Sequence, residues 1–249
     1  MIITRSWIKE IIDIKNDSDK KIEDTLNAIG HEVASVKKIT IPDGVVVGKV
    51  ISCEKHPEAD KLSVCKVDIG KEIAQIVCGA RNVIADIFVA VATLGAKLPD
   101  GLEIKPVVLR GVDSHGMICS STEIGLPKMN DGIMILDESI GKLKAGKALN
   151  SYESLNDTVI EVELTANRGD CLSINGICRE LSAANGYQKN TISCDIDDDN
   201  AKGIGRVLQI QCDSDVNASL MYKVIESIGI KSNLLTDIRM ALAGNYKEF

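Results

Sequence analysis

The sequence predicts an α+β protein with several domains, in which a β-rich middle segment separates two more helical flanks. All five prolines of the 249-residue chain lie between positions 41 and 147. In the same segment, short runs rich in valine and isoleucine alternate with glycine and proline turns, which is typical of a small barrel or sandwich. The flanks instead carry apolar residues at helical spacing. The change of pattern at both ends of the middle segment predicts domain boundaries there.

The first flank predicts two helices followed by a strand. The first helix covers about Trp7–Ile14. Asp17 and Ser18 can cap a second helix, and Gly30 is placed to end it. Residues 32–36 then have the composition of a strand.

The middle segment predicts five short strands joined by turns. A five-stranded OB barrel is the natural small fold for such a pattern. The predicted strands are Val45–Cys53, Leu62–Ile69, Ile73–Val77, Ile87–Thr93 and Ile104–Leu109.

The second flank predicts a strand at Thr158–Leu164 and a helix at Leu172–Ala184 that ends at Gly186. The acidic run at 195–199 is interpreted as a solvated linker, with a metal-binding loop as the minor alternative. Two further strands, at 207–212 and 222–228, and a helix at 234–243 are predicted beyond it.

Charge alone argues at first against a nucleic-acid partner, because the net charge is −7. The middle segment is nearly neutral, however, with 13 Lys and Arg against 14 Asp and Glu between residues 41 and 147. Most of the acidity therefore lies in the flanks. A nearly neutral segment can still carry a basic face.

The eight cysteines are spread along the chain without a C-x-x-C pair. Zinc sites need close pairs, and disulfide frameworks are expected in short secreted chains. We therefore expect reduced thiols in a cytoplasmic protein and no bound metal. The N-terminus lacks a signal-peptide pattern, and no apolar run reaches the roughly 18 residues of a membrane helix.

Catalytic motifs have no support in the sequence. The run from Gly141 to Lys147 fits G-x-x-x-x-G-K, but Ala148 follows where a magnesium-binding Ser or Thr is needed, so a Lys-rich loop is expected. The three histidines are widely separated, and nothing marks a Ser-His-Asp set. We predict no catalytic residue in this chain.

Three stretches of the middle segment carry candidate RNA contacts at predicted turns. Lysines near a barrel's loop end can reach phosphates, arginine can bind a phosphate through two hydrogen bonds, and glycine-rich loops let RNA approach closely. Each stretch alone is more often a structural turn. The predicted RNA-binding residues are Lys55, His56, Lys61, Arg81, Asn82, Arg110, Ser114 and Met117, with Lys61, Arg81 and Arg110 as phosphate or ribose contacts.

Aromatic residues are too few for recognition by base stacking. Phe88 is the one aromatic residue between positions 41 and 147. OB-folds that hold single strands need several stacking rings. We therefore expect recognition of a folded RNA through its shape, phosphates and riboses.

The same three stretches closely resemble the tRNA-binding domain shared by phenylalanyl-tRNA synthetase β subunits, methionyl-tRNA synthetases and free-standing tRNA-binding proteins. The matching residues are H-P-x-A-D-K-L-x-V-C at 56–65, V-C-G-A-x-N at 77–82 and L-R-G-V-x-S-x-G-M-x-C-S at 109–120. Their length, order and spacing make chance agreement negligible.

The flanks resemble the bacterial phenylalanyl-tRNA synthetase β subunit in particular. The residues that carry this likeness are S-W-I-K-E at 6–10, I-G-H-E-V at 29–33 and T-A-N-R-G-D-C-L-S at 165–173. The resemblance implies one discontinuous α/β domain, residues 1–39 plus 151–192, with the OB domain, residues 40–150, inserted in it. Residues 200–249 resemble the start of an editing domain (B3/B4-like) but lack its Asn-Asn-Val-Val-Asp-like run, so no complete editing site is expected.

The resemblance also implies partners and cofactors. Such β subunits assemble with α subunits as α2β2 ligases that use ATP and magnesium to charge tRNA with phenylalanine, and the α subunit holds the aminoacylation centre. The implied partners here are tRNA and an α subunit, not a membrane or DNA, and no cofactor is expected on this chain. A free-standing tRNA-binding or regulatory paralogue is the main alternative, and a protein-docking module is the third. We interpret the turn at 167–170 as structural, with Asn167 and Asp170 capping the next helix and Arg168 paired locally.

Overall fold

Antiparallel sheets and four α-helices make up the computed structural model, which describes residues 1–190 and 233–244. The mixed α/β class predicted from the sequence is confirmed. The helices are α1 (Arg5–Ile11), α2 (Asp19–Ala28), α3 (Ile174–Asn185) and α4 (Leu234–Leu242). The strands are β1 (Ile2–Thr4), β2 (Glu32–Ile39), β3 (Val45–His56), β4 (Ala59–Asp68), β5 (Ile73–Cys78), β6 (Phe88–Ala92), β7 (Val107–Leu109), β8 (Val112–Ser114), β9 (Met117–Ile118), β10 (Ile135–Leu136) and β11 (Asp157–Glu163).

A three-stranded antiparallel sheet unites the two flanks in the order β1-β11-β2. Its central strand, β11, comes from the second flank and pairs on both sides with strands of the first. The core beneath it combines side chains of α1 and α2 with Ile160, Ile177 and Leu181, all fully buried. Residues more than 100 positions apart thus share one hydrophobic core.

Local capping explains where the flank helices begin. Thr4, Ser18 and Ser173 each accept a hydrogen bond from a backbone N–H of the following turn, which satisfies a donor that the helix itself leaves free. The first helix, predicted at about Trp7–Ile14, begins earlier, at Arg5, and ends earlier, at Ile11, because Ile12 leaves it to form a bridge with Lys189.

A six-stranded antiparallel sheet forms the middle segment, in the order β10-β6-β3-β4-β5 with β9 also paired to β6. The free edge of β5 meets the residues just before β9. The amide of His115 donates to the carbonyl of Gln75 at 2.8 Å, and the Gln75 side chain donates to the carbonyl of Asp113 at 2.9 Å. Hydrogen bonds therefore continue from β5 through this loop to β9 and back to β6.

Both faces of this sheet are buried. In β6, Val89 and Val91 face one hydrophobic cluster, whereas Ala90 and Ala92 face another, as the two-residue period of a strand requires. The last strand predicted for this segment, at 104–109, is reduced to β7, because Ile104 pairs with Ala96 in a separate turn and Pro106 has no N–H to donate. β7 pairs with β8 alone.

Helix α4 packs against the core of the middle segment. Leu234, Ile238 and Leu242 join the cluster that also holds Tyr152 and Leu155. The helix predicted at 234–243 is therefore confirmed, and its apolar face is covered by residues on the N-terminal side of position 191. The acidic run at 195–199 and the strands predicted at 207–212 and 222–228 lie outside the described residues. None of the described helices is long and apolar enough to cross a membrane.

Candidate nucleic-acid interface

The predicted RNA-binding residues gather at one end of the six-stranded sheet. In the register of the strands, Lys55 of β3 pairs with Ser63 of β4, and Ser63 pairs with Cys78 of β5. β3 and β5 end, and β4 begins, at this edge, so Lys61, near the start of β4, and Arg81, in the turn after β5, lie at the same edge. The backbone of residues 109–110 is joined to the same edge through His56. We call this region the motif end of the sheet.

His56 is an internal anchor of the motif end, with 5% of its surface exposed. Its Nδ1 accepts a hydrogen bond from the Glu58 amide at 3.1 Å. The proton must therefore be on Nε2, which lies 3.0 Å from the Leu109 carbonyl and donates to it. The neutral ring thus fixes the β3–β4 turn to the residue before Arg110.

Ser114 is also internal, with 2% of its surface exposed. Its Oγ accepts from the Val77 amide at 3.1 Å and donates to the Gly116 carbonyl at 3.3 Å. Ser114 therefore holds the loop before β9 against the edge of β5.

The side chain of Asn82 hydrogen-bonds to both the amide and the carbonyl of Ile133, as the backbone of a neighbouring strand would. The Ile133 amide donates to Asn82 Oδ1 at 3.0 Å, and Asn82 Nδ2 donates to the Ile133 carbonyl at 3.0 Å. A Cβ on Gly132 would lie 2.2 Å from Asn82 Oδ1, so glycine is required beside it. The side-chain hydrogen bonds of His56, Ser114 and Asn82 are made within the protein, and their predicted place at or near the RNA surface stays a prediction.

The four basic residues of the predicted set are exposed to solvent: Lys55, Lys61, Arg81 and Arg110. In the part of the chain that the structure describes, none of them forms an ion pair or a side-chain hydrogen bond. Uncompensated cations at the mouth of a sheet raise the local concentration of anionic partners. These four side chains are available to an external anion.

Arg110 adopts a backbone conformation that few L-residues take, with φ of 46°. Such a residue costs about 1–3 kcal/mol and persists where its surroundings enforce it. The Leu109 carbonyl held by His56 and the β7–β8 turn both constrain it here. The arginine is thus presented on a rigid loop.

Met117 lines a groove of about 460 Å³ beside the motif end. Half-buried Met117 packs against the larger core, and the groove is also lined by Gly79 and Gly132.

Sequence reasoning missed Glu123, whose carboxylate accepts hydrogen bonds from the amide and hydroxyl of Ser120 at 2.6 and 2.8 Å. The S-x-x-E spacing of a capping box could have identified this pair.

The turn at 167–171 of the flank has a different character, because its charges are paired. The Arg168 guanidinium lies 3.1 Å from Asp170 Oδ1 and 3.0 Å from Glu180 Oε2, which confirms the predicted local pairing. The predicted capping by Asn167 and Asp170 is wrong, because Ser173 caps α3. Gly176 allows α3 to lie close to this turn, since a Cβ on Gly176 would lie 2.1 Å from the Asp170 carbonyl oxygen.

Asp170, Cys171 and Glu180 also bring three potential metal ligands within 4.8 Å of one another. Arg168 already supplies the cation of this cluster, and its guanidinium also donates to Cys171 Sγ at 3.0 Å. The hydrogen bond from Arg168 is the main reason that the pKa of Asp170 falls to about 2. Burial raises the pKa of the Cys171 thiol.

The cysteines of the described residues are free thiols. Burial raises the pKa of Cys119 and that of Cys178 to about 12. Burial likewise raises the pKa of Cys65, whose Sγ lies 3.6 Å from Cys53 Sγ. These protonated thiols pack as small apolar groups.

Comparison with known proteins assigns the motif end to a class. Residues 45–146 match the family described as a putative tRNA binding domain. This range contains β3 to β10 and all eight predicted RNA-binding residues. The middle segment therefore matches the class of putative tRNA binding domains.

The whole chain has more specific relatives. It is 51% identical to the phenylalanine–tRNA ligase β subunit of Campylobacter jejuni over 242 residues, which cover 97% of this chain and 31% of the relative. It is 50% identical to that of Wolinella succinogenes over 98% of the chain and 31% of the relative, and 47% identical to that of Sulfurimonas denitrificans over 100% and 32%. The chain spans about a third of the length of these relatives and corresponds to the N-terminal part of a phenylalanine–tRNA ligase β subunit.

Solved structures give only a distant likeness. A MetRS-related protein from Pyrococcus horikoshii matches 42% of this chain and 87% of its own, at 24% identity and a TM-score of 0.32. The C-terminal domain of Plasmodium vivax p43 gives a TM-score of 0.31 at 22% identity, over 44% of this chain and 59% of its own.

Proposed function

We propose that the middle segment acts as a tRNA-binding arm of a phenylalanine–tRNA ligase β subunit. The observation that carries this proposal is the set of four exposed cations at the motif end that have no ion-pair partner among the described residues. Lys55, Lys61, Arg81 and Arg110 contact phosphates or riboses of a folded tRNA. His56, Asn82 and Ser114 act indirectly by fixing the loops that present these cations. This division would let an acidic chain bind RNA through exposed cations and not through its net charge.

We also propose that the six-stranded sheet is an OB barrel. Its strand order, with β3 between β4 and β6, agrees with such a barrel. The hydrogen bonds from Gln75 to residues 113–115, together with the pairing of β9 with β6, support closure. In this arrangement the cluster that includes Val67, Ile76 and Val91 fills the interior.

The domain division follows from the same view. The barrel domain, 40–150, is inserted in a flank domain made of 1–39 and 151–192, whose joint sheet and shared core support the insertion. Residues 200–249 begin an editing-type domain. Helix α4 would be the part of it that packs against the core of the middle segment.

The complete ligase would depend on other chains and regions. The relatives are named as β subunits, so we propose an α subunit as partner in an α2β2 enzyme that phenylalanylates tRNA. ATP and magnesium would be used at the α subunit's centre. Co-expression with the matching α subunit tests this partnership: a stable complex in gel filtration supports it, and separate elution contradicts it.

The cytoplasm is the compartment proposed for this protein. The free buried thiols described above suit a reducing environment.

A filter-binding titration of this chain with tRNA across salt concentrations tests the tRNA-binding function. We expect saturable binding whose log affinity falls linearly with log salt concentration. A DNA duplex of similar length is the control and is expected to bind more weakly. Absence of tRNA binding even at low salt would contradict the proposal.

A further inference from the structure

A second basic region lies at the other end of the six-stranded sheet, away from the motif end. It is an open cleft of about 770 Å³ between the β4–β5 turn, the loop after β6 and the loop at 144–147. β5 separates the two regions, and its six residues span about 17 Å at the rise of an extended strand. The cleft is therefore distinct from the surface that holds Arg81 and Arg110.

Two glycines lock the walls of this cleft together. A Cβ on Gly146 would lie 2.5 Å from the Ile69 carbonyl oxygen, and a Cβ on Gly70 would lie 2.7 Å from the Gly146 Cα. The loop is also fixed to β3, since the Val47 amide donates to the Lys147 carbonyl at 2.9 Å and the Gly146 amide to the Val47 carbonyl at 2.8 Å. The cleft is thus a fixed feature of the fold.

Positive charge dominates the lining of the cleft. Lys71, Lys144 and Lys147 are exposed around it, together with His115, whereas Glu72 is the one carboxylate among its lining residues. No lysine of this cleft forms an ion pair with any residue in the described ranges 1–190 and 233–244. The Lys147 ammonium is positioned 3.8 Å from the centroid of the Tyr152 ring, a favourable cation–π contact.

The loop at 141–147 is the G-x-x-x-x-G-K run of the sequence, and its structure differs from that of a nucleotide-binding loop. It pairs with β3 and leads into the short 3₁₀ helix Leu149–Ser151, so no long helix begins where a bound phosphate would need its N-terminus. Three separate lysines on an open cleft provide point charges. Such charges suit a polyanion that passes through the cleft better than one enclosed nucleotide.

We infer that this cleft is a second phosphate-backbone site for the bound tRNA, which rests on the proposed tRNA-binding function. Lys71 on the β4–β5 turn and Lys144 on the loop at 144–147 contact phosphodiesters, and Lys147 contributes a further positive charge to the lining. The tRNA then extends along the barrel from the motif end to the cleft. The middle segment binds one RNA at two places.

Salt-dependent tRNA binding by the full chain tests the cleft with the double variant Lys71→Gln/Lys144→Gln. Each lost phosphate contact lowers the slope of log affinity against log salt concentration by roughly 1, so a decrease of about 2 is expected. The matched control, Lys37→Gln/Lys189→Gln, removes two exposed charges from the flanks and should keep the wild-type slope. Thermal melting verifies that both variants remain folded.

The other outcomes separate this inference from the proposed function. If the cleft variant keeps the slope of the control while Arg81→Gln/Arg110→Gln lowers it, the cleft is not an RNA site and the tRNA-binding arm stands. If the wild type binds no tRNA, both fail. Calorimetry with inorganic phosphate is an independent test. The inference would be overturned if Lys71→Gln/Lys144→Gln lost saturable phosphate binding but kept the wild-type slope of tRNA affinity against salt concentration. That result would indicate a small-anion site.

Discussion

Arginines occur in two contrasting settings in this protein, the flank turn at 167–171 and the motif end of the sheet. Arg168 is surrounded by Asp170, Glu180 and Cys171, and its charge is used within the fold. Arg81 and Arg110 are exposed, and neither has an ion-pair partner among the described residues. The same residue type stabilises the structure in one region and is left available in the other.

This contrast teaches how to distinguish structural from functional residues inside one motif. The three stretches that identify the tRNA-binding domain contain both kinds. His56, Asn82 and Ser114 have polar atoms committed to backbone partners, so they set the loop geometry. The side chains of Lys61, Arg81 and Arg110 have no such partner in the part of the chain that the structure describes, so they are the residues that can bind a partner.

The largest expected effect is on stability, from Asn82→Ala. The change leaves the amide and carbonyl of Ile133 without partners, and each unsatisfied buried group costs about 1–3 kcal/mol. Urea unfolding measures the loss. The control Asn16→Ala, at an exposed position, should change stability by less than about 0.5 kcal/mol. Equal effects of the two variants would refute the structural role of Asn82.

The flank turn at 167–171 makes a pH-dependent contribution to the free energy of unfolding, and Arg168→Gln should remove it. The pKa of Asp170 is lowered to about 2 from 3.8, mainly by its hydrogen bond with Arg168. The stabilisation is therefore complete above about pH 4 and is lost as the pH falls towards 2. The difference in unfolding free energy between wild type and variant should shrink over that range.

Arg179→Gln serves as the comparison for that prediction. Arg179 bonds the same carboxylate at 2.7 Å, but it is the smaller cause of the lowered pKa of Asp170. Its removal should therefore give a smaller pH-dependent change. A difference between wild type and Arg168→Gln that stays constant from pH 5 to pH 2 would contradict the assignment.

The smallest expected change in stability comes from Arg110→Gly. Glycine adopts the φ of 46° found at this position without strain, so relief of strain offsets the backbone entropy of glycine, and stability should change by no more than about 1 kcal/mol. Affinity for tRNA should nevertheless fall. Arg110→Gln, which keeps the strain and loses the charge, should bind tRNA as weakly as Arg110→Gly. Normal tRNA binding by either variant would remove Arg110 from the interface.

Most secondary-structure elements followed from the sequence, because their signals are local. Ser18 and Gly30 mark the ends of α2, and the strand predicted at 158–164 appears as β11 within one residue at each end. The strand predicted at 104–109 is mostly absent, because Ile104 finds its partner in a turn that the sequence does not reveal. Contacts with residues outside this segment's own pattern therefore determined the conformation of residues 104–109.

The candidate site was only partly accessible to sequence reasoning. The position of Arg81 and Arg110 at turns was evident, and their exposure follows from it. The burial of His56 and Ser114 was not evident, because it depends on contacts with residues 53 and 37 positions away in the chain. The cleft at Lys71 and Lys144 depends on the close approach of two distant glycines, for which the sequence carries no local signal.

The most direct test of the central claim compares the salt dependence of tRNA binding in Arg81→Gln/Arg110→Gln with that of the single variant Arg168→Gln. If unpaired arginines bind RNA and paired arginines do not, the double variant should lower the slope of log affinity against log salt concentration by about 2. Arg168→Gln, measured where it is folded, should keep the wild-type slope. An unchanged slope in the double variant, or an equal decrease per arginine in Arg168→Gln, would contradict the account.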